Sequence, residues 1–452
     1  MVISMSMEKI RIQSLLSLCV IIVSSCILID QTPIPIKTLP PTWTPEPTIE
    51  SPQITPLPSA TPVKTPALPD VLPDIAYLKN NQLWFWEAGS PPKSLLPDQK
   101  ISDLRMSEDG NKVIYRLSSL GELWVVSSDG TNHQSLLTRS DMVGLAVREE
   151  ALYAMPLLFG FLPGTDQLAI TTYDYIGTGS NLNLNEDLHL IDIISGELKT
   201  ILGPWQGGIY SFSPDGSLIS LDTKGVISLM DPRGKGLREI FRYSEIPTEG
   251  HRYWYYYPNI VWVPEQKAFM VIIPPNNIYA DTPLPSVIWR VPLDGSGPTR
   301  VYEFKTSVPA YQSRPRLDPT CTRVAYQIAV GNDTSLPRAV KLDNIDGSGS
   351  EIYGNGEIKL FSWSPDGQYF VYSEDDQSYL VRFGEKAQSL DKVLNHLFIE
   401  SVETVTWIDN STYLLQLETD QGHLLWIGSV DGRGLQVDLS DKKITDVESA
   451  LP

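Results

Sequence analysis

Three cysteines and five histidines in 452 residues leave little material for thiol or imidazole chemistry. The histidines lie far apart and form neither an H-E-x-x-H pair nor a Cys/His cluster, so the sequence predicts no metal site. Basic residues are also scarce, with 35 Lys and Arg against 54 Asp and Glu and a net charge of −19. Because a phosphate backbone requires a basic surface, this balance argues against nucleic-acid binding.

Motifs for nucleophilic catalysis or nucleotide binding are missing as well. The sequence has no G-x-S-x-G nucleophile elbow, no P-loop and no dinucleotide fingerprint. Cys321 takes the place of the glycine in a turn, which indicates a turn variant rather than a reactive thiol. The sequence therefore predicts no catalytic residue and no cofactor.

The first residues are typical of an export signal. Lys9 and Arg11 precede the apolar run SLLSLCVIIVSSCILI, which is too short for an ordinary membrane-spanning helix. Within it, VSSC at 23–26 resembles the lipobox of bacterial lipoproteins. The resemblance implies that residues 1–25 are removed and that Cys26 is acylated; the alternative is a plain signal peptide with an incidental cysteine. Since only Cys26 and Cys321 would remain, no intramolecular disulfide is expected.

Residues 26–72 are predicted to be a lipid-anchored linker. From Gln31 onward they are rich in Pro and Thr and contain few residues able to build a core. Such chains extend by about 3.1 Å per residue in the polyproline II conformation. The linker is expected to hold a folded domain, residues 73–452, on the outer side of the bacterial cell membrane or at the cell surface.

One local pattern recurs from about residue 75 onward. An apolar segment leads into a turn such as FSPDG (212–216) or WSPDG (363–367), a β-rich run follows, and a second turn such as VSSDG (126–130) precedes a last short strand. Asp-Gly turns between alternating apolar residues indicate hairpins. Each unit therefore predicts four antiparallel strands, and repetition at roughly 35–55 residues is typical of an all-β propeller.

A partial repeat at each end of this region predicts how the ring closes. Residues 75–96 contain three strands of a unit but lack the first, whereas Lys443–Val447 repeats the pattern of Lys100–Leu104, a first strand. We expect the C-terminal strand to complete the N-terminal blade, which removes the open sheet edges. With seven complete units between, the prediction is eight blades, or seven if the irregular segment 145–203 is not a separate blade.

The SPDG turn followed by an alternating strand resembles the WD-like repeat of TolB-type propellers. The resemblance covers roughly residues 75–450 and implies the fold, whereas function does not follow from a fold of this kind. TolB-type proteins also carry an N-terminal α/β domain for which this chain has no room.

Long connections mark one face of the predicted ring. They lie between the second and third strands of a blade or between blades, and loops are where scaffolds place binding groups. The segment HRYWYYYP (251–258) offers aromatic faces beside hydrogen-bonding groups, a combination suited to sugar rings and peptide side chains. The alternative is that its tyrosines pack under the loop. The candidate ligand-binding residues are His251, Arg252, Tyr253, Trp254, Tyr255, Tyr256, Asp174, Tyr175, Tyr279, Tyr311 and Arg314.

These patterns favour a non-enzymatic cell-envelope lipoprotein that binds a protein, peptide or glycan and acts as a monomer. Two alternatives remain at this point. One is a hydrolase or lyase that works in the central funnel, which requires several titratable residues to converge there. The other is an envelope assembly factor.

Overall fold

The computed structural model describes residues 72–177, 183–247, 255–276, 284–306, 313–331, 337–390 and 399–450. Within these ranges the chain forms eight antiparallel sheets, each built on four strands; seven follow the sequence order, and one combines the last strand of the chain with the first three. First strands of several neighbouring sheets contact one another, among them β33 with β4 and β25 with β29, as expected when they line the centre of a ring. The fold is an all-β propeller, and the predicted eight blades are confirmed.

The blades are numbered in chain order, and their strands are given from the innermost outward. Blade 1 consists of β33 (Ile444–Ser449), β1 (Ile75–Lys79), β2 (Gln82–Trp86) and β3 (Lys93–Leu96), and blade 2 of β4 (Ile101–Met106), β5 (Lys112–Leu117), β6 (Leu123–Ser127) and β7 (Gln134–Leu137). Blade 3 consists of β8 (Tyr153–Phe161), β9 (Gln167–Tyr175), β11 (Leu188–Asp192) and β12 (Leu198–Leu202). Blade 4 consists of β13 (Ile209–Phe212), β14 (Ile219–Asp222), β15 (Val226–Met230) and β16 (Arg238–Arg242). In blade 3 a short strand, β10 (Asn183–Leu184), also pairs with β9 ahead of β11. The irregular segment is therefore a separate blade whose third strand is split.

Blades 5 to 8 follow the same order. Blade 5 consists of β17 (Val261–Val263), β18 (Ala268–Ile273), β19 (Ser286–Pro292) and β20 (Thr299–Phe304), and blade 6 of β21 (Arg316–Leu317), β22 (Arg323–Ala329), β23 (Arg338–Asn344) and β24 (Ser350–Gly356). Blade 7 consists of β25 (Ile358–Trp363), β26 (Tyr369–Glu374), β27 (Gln377–Arg382) and β28 (Gln388–Ser389). Blade 8 consists of β29 (Ile399–Trp407), β30 (Thr412–Thr419), β31 (Gly422–Ser429) and β32 (Gly434–Ser440). A 3-10 turn, Pro264–Gln266, joins β17 to β18.

The turn between the first two strands shows how the local sequence fixes a hairpin. In blade 7, the Ser364 hydroxyl donates to Asp366 at 2.6 Å, and the same carboxylate accepts from the Gln368 amide at 3.0 Å. Gly367 follows with φ +66°, a conformation that L side chains rarely adopt, and its amide donates to the Ser364 carbonyl at 2.9 Å. Ser213 and Asp215 make the same hydroxyl–carboxylate bond in blade 4.

The ring closes as the repeated end sequences predict. Strand β33 pairs antiparallel with β1, with Ile75 opposite Ser449 and Tyr77 opposite Val447. The register shifts by one residue at Asp446, which bulges out of the ladder with φ +44°. Blade 1 is therefore a complete four-stranded sheet, with three strands from the beginning of the fold and one from its end.

The core lies between adjacent blades rather than at one centre. Side chains of blades 1 and 2 form one cluster, which includes Leu78, Leu83, Val113 and Tyr115, all fully buried. On its other side, blade 1 packs Ile75 and Tyr77 against Leu414 and Ile427 of blade 8. Each blade is thus stabilised by both neighbours, and closure of the ring buries one interface more than an open row of eight blades would.

Helix α1 (Arg139–Gly144) connects blades 2 and 3. Thr138 and Asp141 form a capping box at its start, and Met142 buries its side chain beneath it. Among the described residues no helix is long and apolar enough to cross a membrane.

Candidate ligand-binding site

The loop face is the face of the ring that carries the connections between second and third strands and between blades. The opposite face carries the remaining turns. Seven predicted functional residues lie outside the described part of the chain: Cys26, His251, Arg252, Tyr253, Trp254, Tyr279 and Tyr311. Their predicted roles stay predictions, and five other candidates can be placed.

Asp174, at the end of β9, is fully enclosed and its carboxylate is occupied by neighbouring groups. It accepts hydrogen bonds from the amides of Val147 and Arg148, at 3.2 and 2.8 Å, and from the Arg148 guanidinium at 3.0 Å. The side-chain amide of Asn185 donates to it at 3.1 Å. These bonds tie the segment after α1 to the split strand of blade 3. The adjacent Tyr175 packs its ring against Tyr153, with centroids 5.0 Å apart.

Tyr255 and Tyr256 take up different environments although they are neighbours in sequence. Tyr255 is half-buried, with the Lys224 ammonium 5.6 Å from its ring centroid. Tyr256 is only 4% exposed, its hydroxyl donates to the Ile272 carbonyl at 3.3 Å, and burial raises its pKa to about 12. The ring of Tyr256 is therefore buried against Ile246, which agrees with the alternative that some tyrosines of HRYWYYYP serve packing.

Arg314 precedes the innermost strand of blade 6 and is exposed. Its guanidinium lies over the Tyr256 ring at 5.5 Å and makes only long contacts, at 3.4 Å to the Asn259 side chain and 3.5 Å to the Tyr257 carbonyl. The charge is consequently positioned by an aromatic face and weak polar contacts rather than by a carboxylate.

A cavity of about 240 Å³ opens beside Arg314. Its walls come from blades 5, 6 and 7, and they include residues of β17, β21 and β25, the innermost strands of those blades. The cavity therefore lies along the wall of the central channel. The lining consists of Tyr256, Asn259, Val261, Ile272, Arg314, Pro315, Arg316, Leu317, Pro319, Phe361, Ser362 and Trp363.

Arg316 is a site residue that the sequence interpretation missed. In the described chain its Nε is buried without a hydrogen-bond partner. Burial, together with the nearby Arg314 charge, lowers its pKa. Trp363 holds the backbone in place, because its indole N–H donates to the Arg316 carbonyl at 2.9 Å. The available signal was the spacing R-P-R, which places two arginines on one side of an extended chain.

Trp205, between blades 3 and 4, is a second residue that the sequence interpretation missed. It is 55% exposed, has φ +65°, and carries the Arg148 guanidinium 4.7 Å above its ring. Its amide donates to the Asn185 carbonyl at 2.8 Å, and a Cβ on the nearby Gly208 would overlap the Asp222 carbonyl. An exposed ring held in an uncommon backbone conformation is a candidate contact for a ligand. The signal was a tryptophan flanked by glycines in GPWQGG.

Carboxylates gather on the innermost strands of blades 1 and 2. Asp103 and Asp446 correspond in the repeated sequence of β4 and β33, although Asp103 is paired in its ladder and Asp446 bulges out of its own. Asp103 accepts from Arg116 at 2.7 Å, and Glu448 pairs with Arg105 at 3.1 Å. Burial raises the pKa of Asp446 and of Glu448, and the Asp103 charge raises that of Asp446 further. The carboxylates at blades 1 and 2 are thus accompanied by arginines that pair with two of them, whereas Arg314 and Arg316 at blade 6 form no ion pair within the described ranges.

Asp222 ends β14 on the loop face and is 2% exposed. The Tyr243 hydroxyl lies 2.8 and 3.0 Å from its two carboxyl oxygens, and no ion pair to it is formed within the described ranges. Burial raises the pKa of this carboxyl to about 7, an effect that the Tyr243 hydrogen bond partly offsets. Across the described residues, no three His, Cys, Asp or Glu side chains are arranged to hold a metal ion.

No protein-family model matches the sequence, and no curated protein sequence matches it. Solved structures do match. A eukaryotic initiation factor structure aligns with a TM-score of 0.50 at 10% identity, over 84% of this chain and 99% of that chain.

Two bacterial structures also align, with lower scores. Oligogalacturonate lyase from Vibrio parahaemolyticus gives a TM-score of 0.44 at 13% identity, over 68% of this chain and 84% of that chain. TolB from Acinetobacter baumannii gives 0.36 at 15% identity, over 84% of this chain and 66% of that chain. At such identities the likeness concerns architecture alone.

Proposed function

We propose that the protein is a non-enzymatic cell-envelope lipoprotein whose loop face binds a protein, peptide or glycan. The observation that carries this proposal is the channel-wall cavity, which combines apolar and aromatic walls with two guanidinium groups. Concave apolar surfaces with a few polar groups are typical of ligand sites. A volume of about 240 Å³ suits one side chain or ring, so a larger ligand would insert a single group and rest on the surrounding loops.

The loop face also carries an exposed aromatic side chain, in the connection between blades 3 and 4. Trp205 presents its ring to solvent beside Arg148, and aromatic and arginine side chains are enriched among residues that dominate binding energies. A hydrolase or lyase is the second candidate, because Asp103, Asp446 and Glu448 form a carboxylate group with two raised pKa values in the channel.

Binding is tested by screening the intact protein against peptide and glycan arrays. For a ligand found in this way, Trp205→Ala should lower the affinity about tenfold or more, the usual scale for an aromatic anchor. The thermal midpoint should stay unchanged, because the ring is mostly exposed. Leu237→Ala serves as the control, since Leu237 is 47% exposed in a turn of the opposite face. Unchanged affinity in Trp205→Ala would exclude this ring from the binding surface, and turnover of an array ligand would favour the enzyme.

The membrane anchor is tested at Cys26, on the resemblance of VSSC to a lipobox. Cys26→Ala should remove lipid attachment, because the thiol that would be acylated is absent. We expect the wild type in the membrane fraction and labelled by radioactive palmitate, and the variant unlabelled. A wild-type protein that takes up no label would contradict the lipoprotein assignment.

A further inference from the structure

Arg314 and Arg316 are two of the eight arginines, out of fifteen in the described chain, that have no carboxylate partner. Seven others pair with Asp or Glu: Arg105, Arg116, Arg148, Arg242, Arg300, Arg382 and Arg433. In a protein with 54 acidic residues against 35 basic ones, carboxylates are plentiful. Two neighbouring guanidiniums at the edge of a cavity that have no carboxylate partner are therefore a marked local excess of positive charge.

The cavity has the composition of a receptor for an anion. None of the described residues that line it is acidic, although the chain as a whole is. A guanidinium taken partly out of water is costly unless a hydrogen-bonded partner compensates it, and the Arg316 Nε has none in the described structure. Guanidinium groups present donors in a planar fork that fits a carboxylate with two parallel hydrogen bonds. A ligand carboxylate would supply the missing acceptors.

The rest of the lining indicates what carries this carboxylate. Tyr256, Phe361 and Trp363 provide apolar surface, and the Trp363 indole N–H is already engaged with the Arg316 carbonyl. The Ser362 hydroxyl is likewise engaged, at 3.2 Å from the Val405 carbonyl. A polyhydroxylated sugar would find few hydrogen-bond partners for its hydroxyl groups here. A ligand with an apolar side chain next to a carboxylate would pack the side chain on the aromatic wall and pair the carboxylate with the guanidiniums.

We propose that this cavity binds the C-terminal carboxylate of a peptide or protein whose last residue has an apolar or aromatic side chain. The carboxylate lies between the guanidiniums of Arg314 and Arg316, and the side chain packs against the aromatic wall. This inference rests on the proposed binding function and names the ligand class for the cavity.

The test uses the intact protein and three probes: the peptide Gly-Gly-Phe, its C-terminal amide, and glucuronic acid. Binding is followed by calorimetry at low ionic strength, where charge pairing is least screened. We expect the free carboxylate peptide to bind at least tenfold more tightly than the amide, and glucuronic acid to bind more weakly than the peptide. Arg316→Gln should remove the preference for the carboxylate without lowering the thermal midpoint, since it removes a partly desolvated charge.

Arg338→Gln is the matched control, because the Arg338 Nε is also buried without a partner among the described residues but lies outside the cavity lining. It should leave the preference for the carboxylate unchanged. Equal binding of peptide acid and amide, or a preference that survives in Arg316→Gln, would overturn the inference. Tighter binding of glucuronic acid would overturn the peptide assignment. If an array ligand binds wild type and Arg316→Gln equally, the proposed function stands and only this inference fails.

Discussion

A chain that ends at Asp441, and therefore lacks β33, is expected to lose most or all of its cooperative folding. Strand β33 buries Ile444 completely, and its removal uncovers β1, in which Ile75, Tyr77 and Leu78 are fully buried. Each such side chain contributes about 1.5–3 kcal/mol on burial, so the loss is comparable to the total stability of an ordinary domain, about 5–15 kcal/mol. Urea unfolding followed by circular dichroism measures it.

The control is a chain that ends at Ala450. It keeps β33 and the hydrogen bond from the Ala450 amide to the Asp74 carbonyl, 2.9 Å long, so its unfolding midpoint should match that of the full chain. A truncation at Asp441 with the same midpoint as this control would show that blade 1 does not depend on the closing strand.

Stability is expected to fall as the pH rises from about 4 to about 7, because of Asp222. Its pKa is about 7 in the folded protein, whereas an aspartate in the unfolded chain has a pKa of 3.8, so the folded state holds a proton that the unfolded state releases. The favourable contribution is complete below pH 3.8 and is lost as the pH passes through 7. At about 1.36 kcal/mol for each pH unit, the change amounts to at most about 4 kcal/mol.

Asp222→Asn removes this titration. The variant should match the wild type at pH 4 and exceed it at pH 8 in the free energy of unfolding. Tyr243→Phe removes a hydrogen bond that lowers the Asp222 pKa, so the decline in stability should move to higher pH. Wild type and Asp222→Asn with parallel pH profiles between 4 and 8 would show that Asp222 is ionised in the folded protein.

The fold was predictable because short sequence motifs that repeat along the chain determine its strands and turns. Lys443–Val447 and Lys100–Leu104 share a pattern because both form innermost strands, and in both the register shifts near the start. Turn motifs around Ser213 and Ser364 occur at the blade period and bind their own backbone, so neighbouring residues alone determine them. Such local information was sufficient to predict the eight blades and the closing strand.

The candidate site depends on relations that a single sequence does not contain. The significance of Arg316 lies in its lack of a carboxylate partner among the described residues, which only the packing of blades 5 to 7 determines. Asp174 was a plausible ligand contact by its position in a long connection, yet its oxygens are taken by Val147, Arg148 and Asn185. Tyr256 has the residue type of a ligand contact, but the sequence does not show that its ring is buried, because burial depends on packing against neighbouring strands.

The antiparallel pairing of β1 with β33 also sets an order of events during synthesis. Blade 1 begins with Ile75, among the first residues of the ring to be made, but its innermost strand, Ile444–Ser449, is made last. The hydrophobic surface of β1 therefore stays uncovered while more than three hundred further residues are synthesised, at about 5–20 residues each second. During that interval the exposed edge is open to pairing with other chains. Any factor that shields the nascent chain would act most usefully at blade 1, and a delay at any point between the synthesis of β1 and that of β33 would prolong the risk of aggregation.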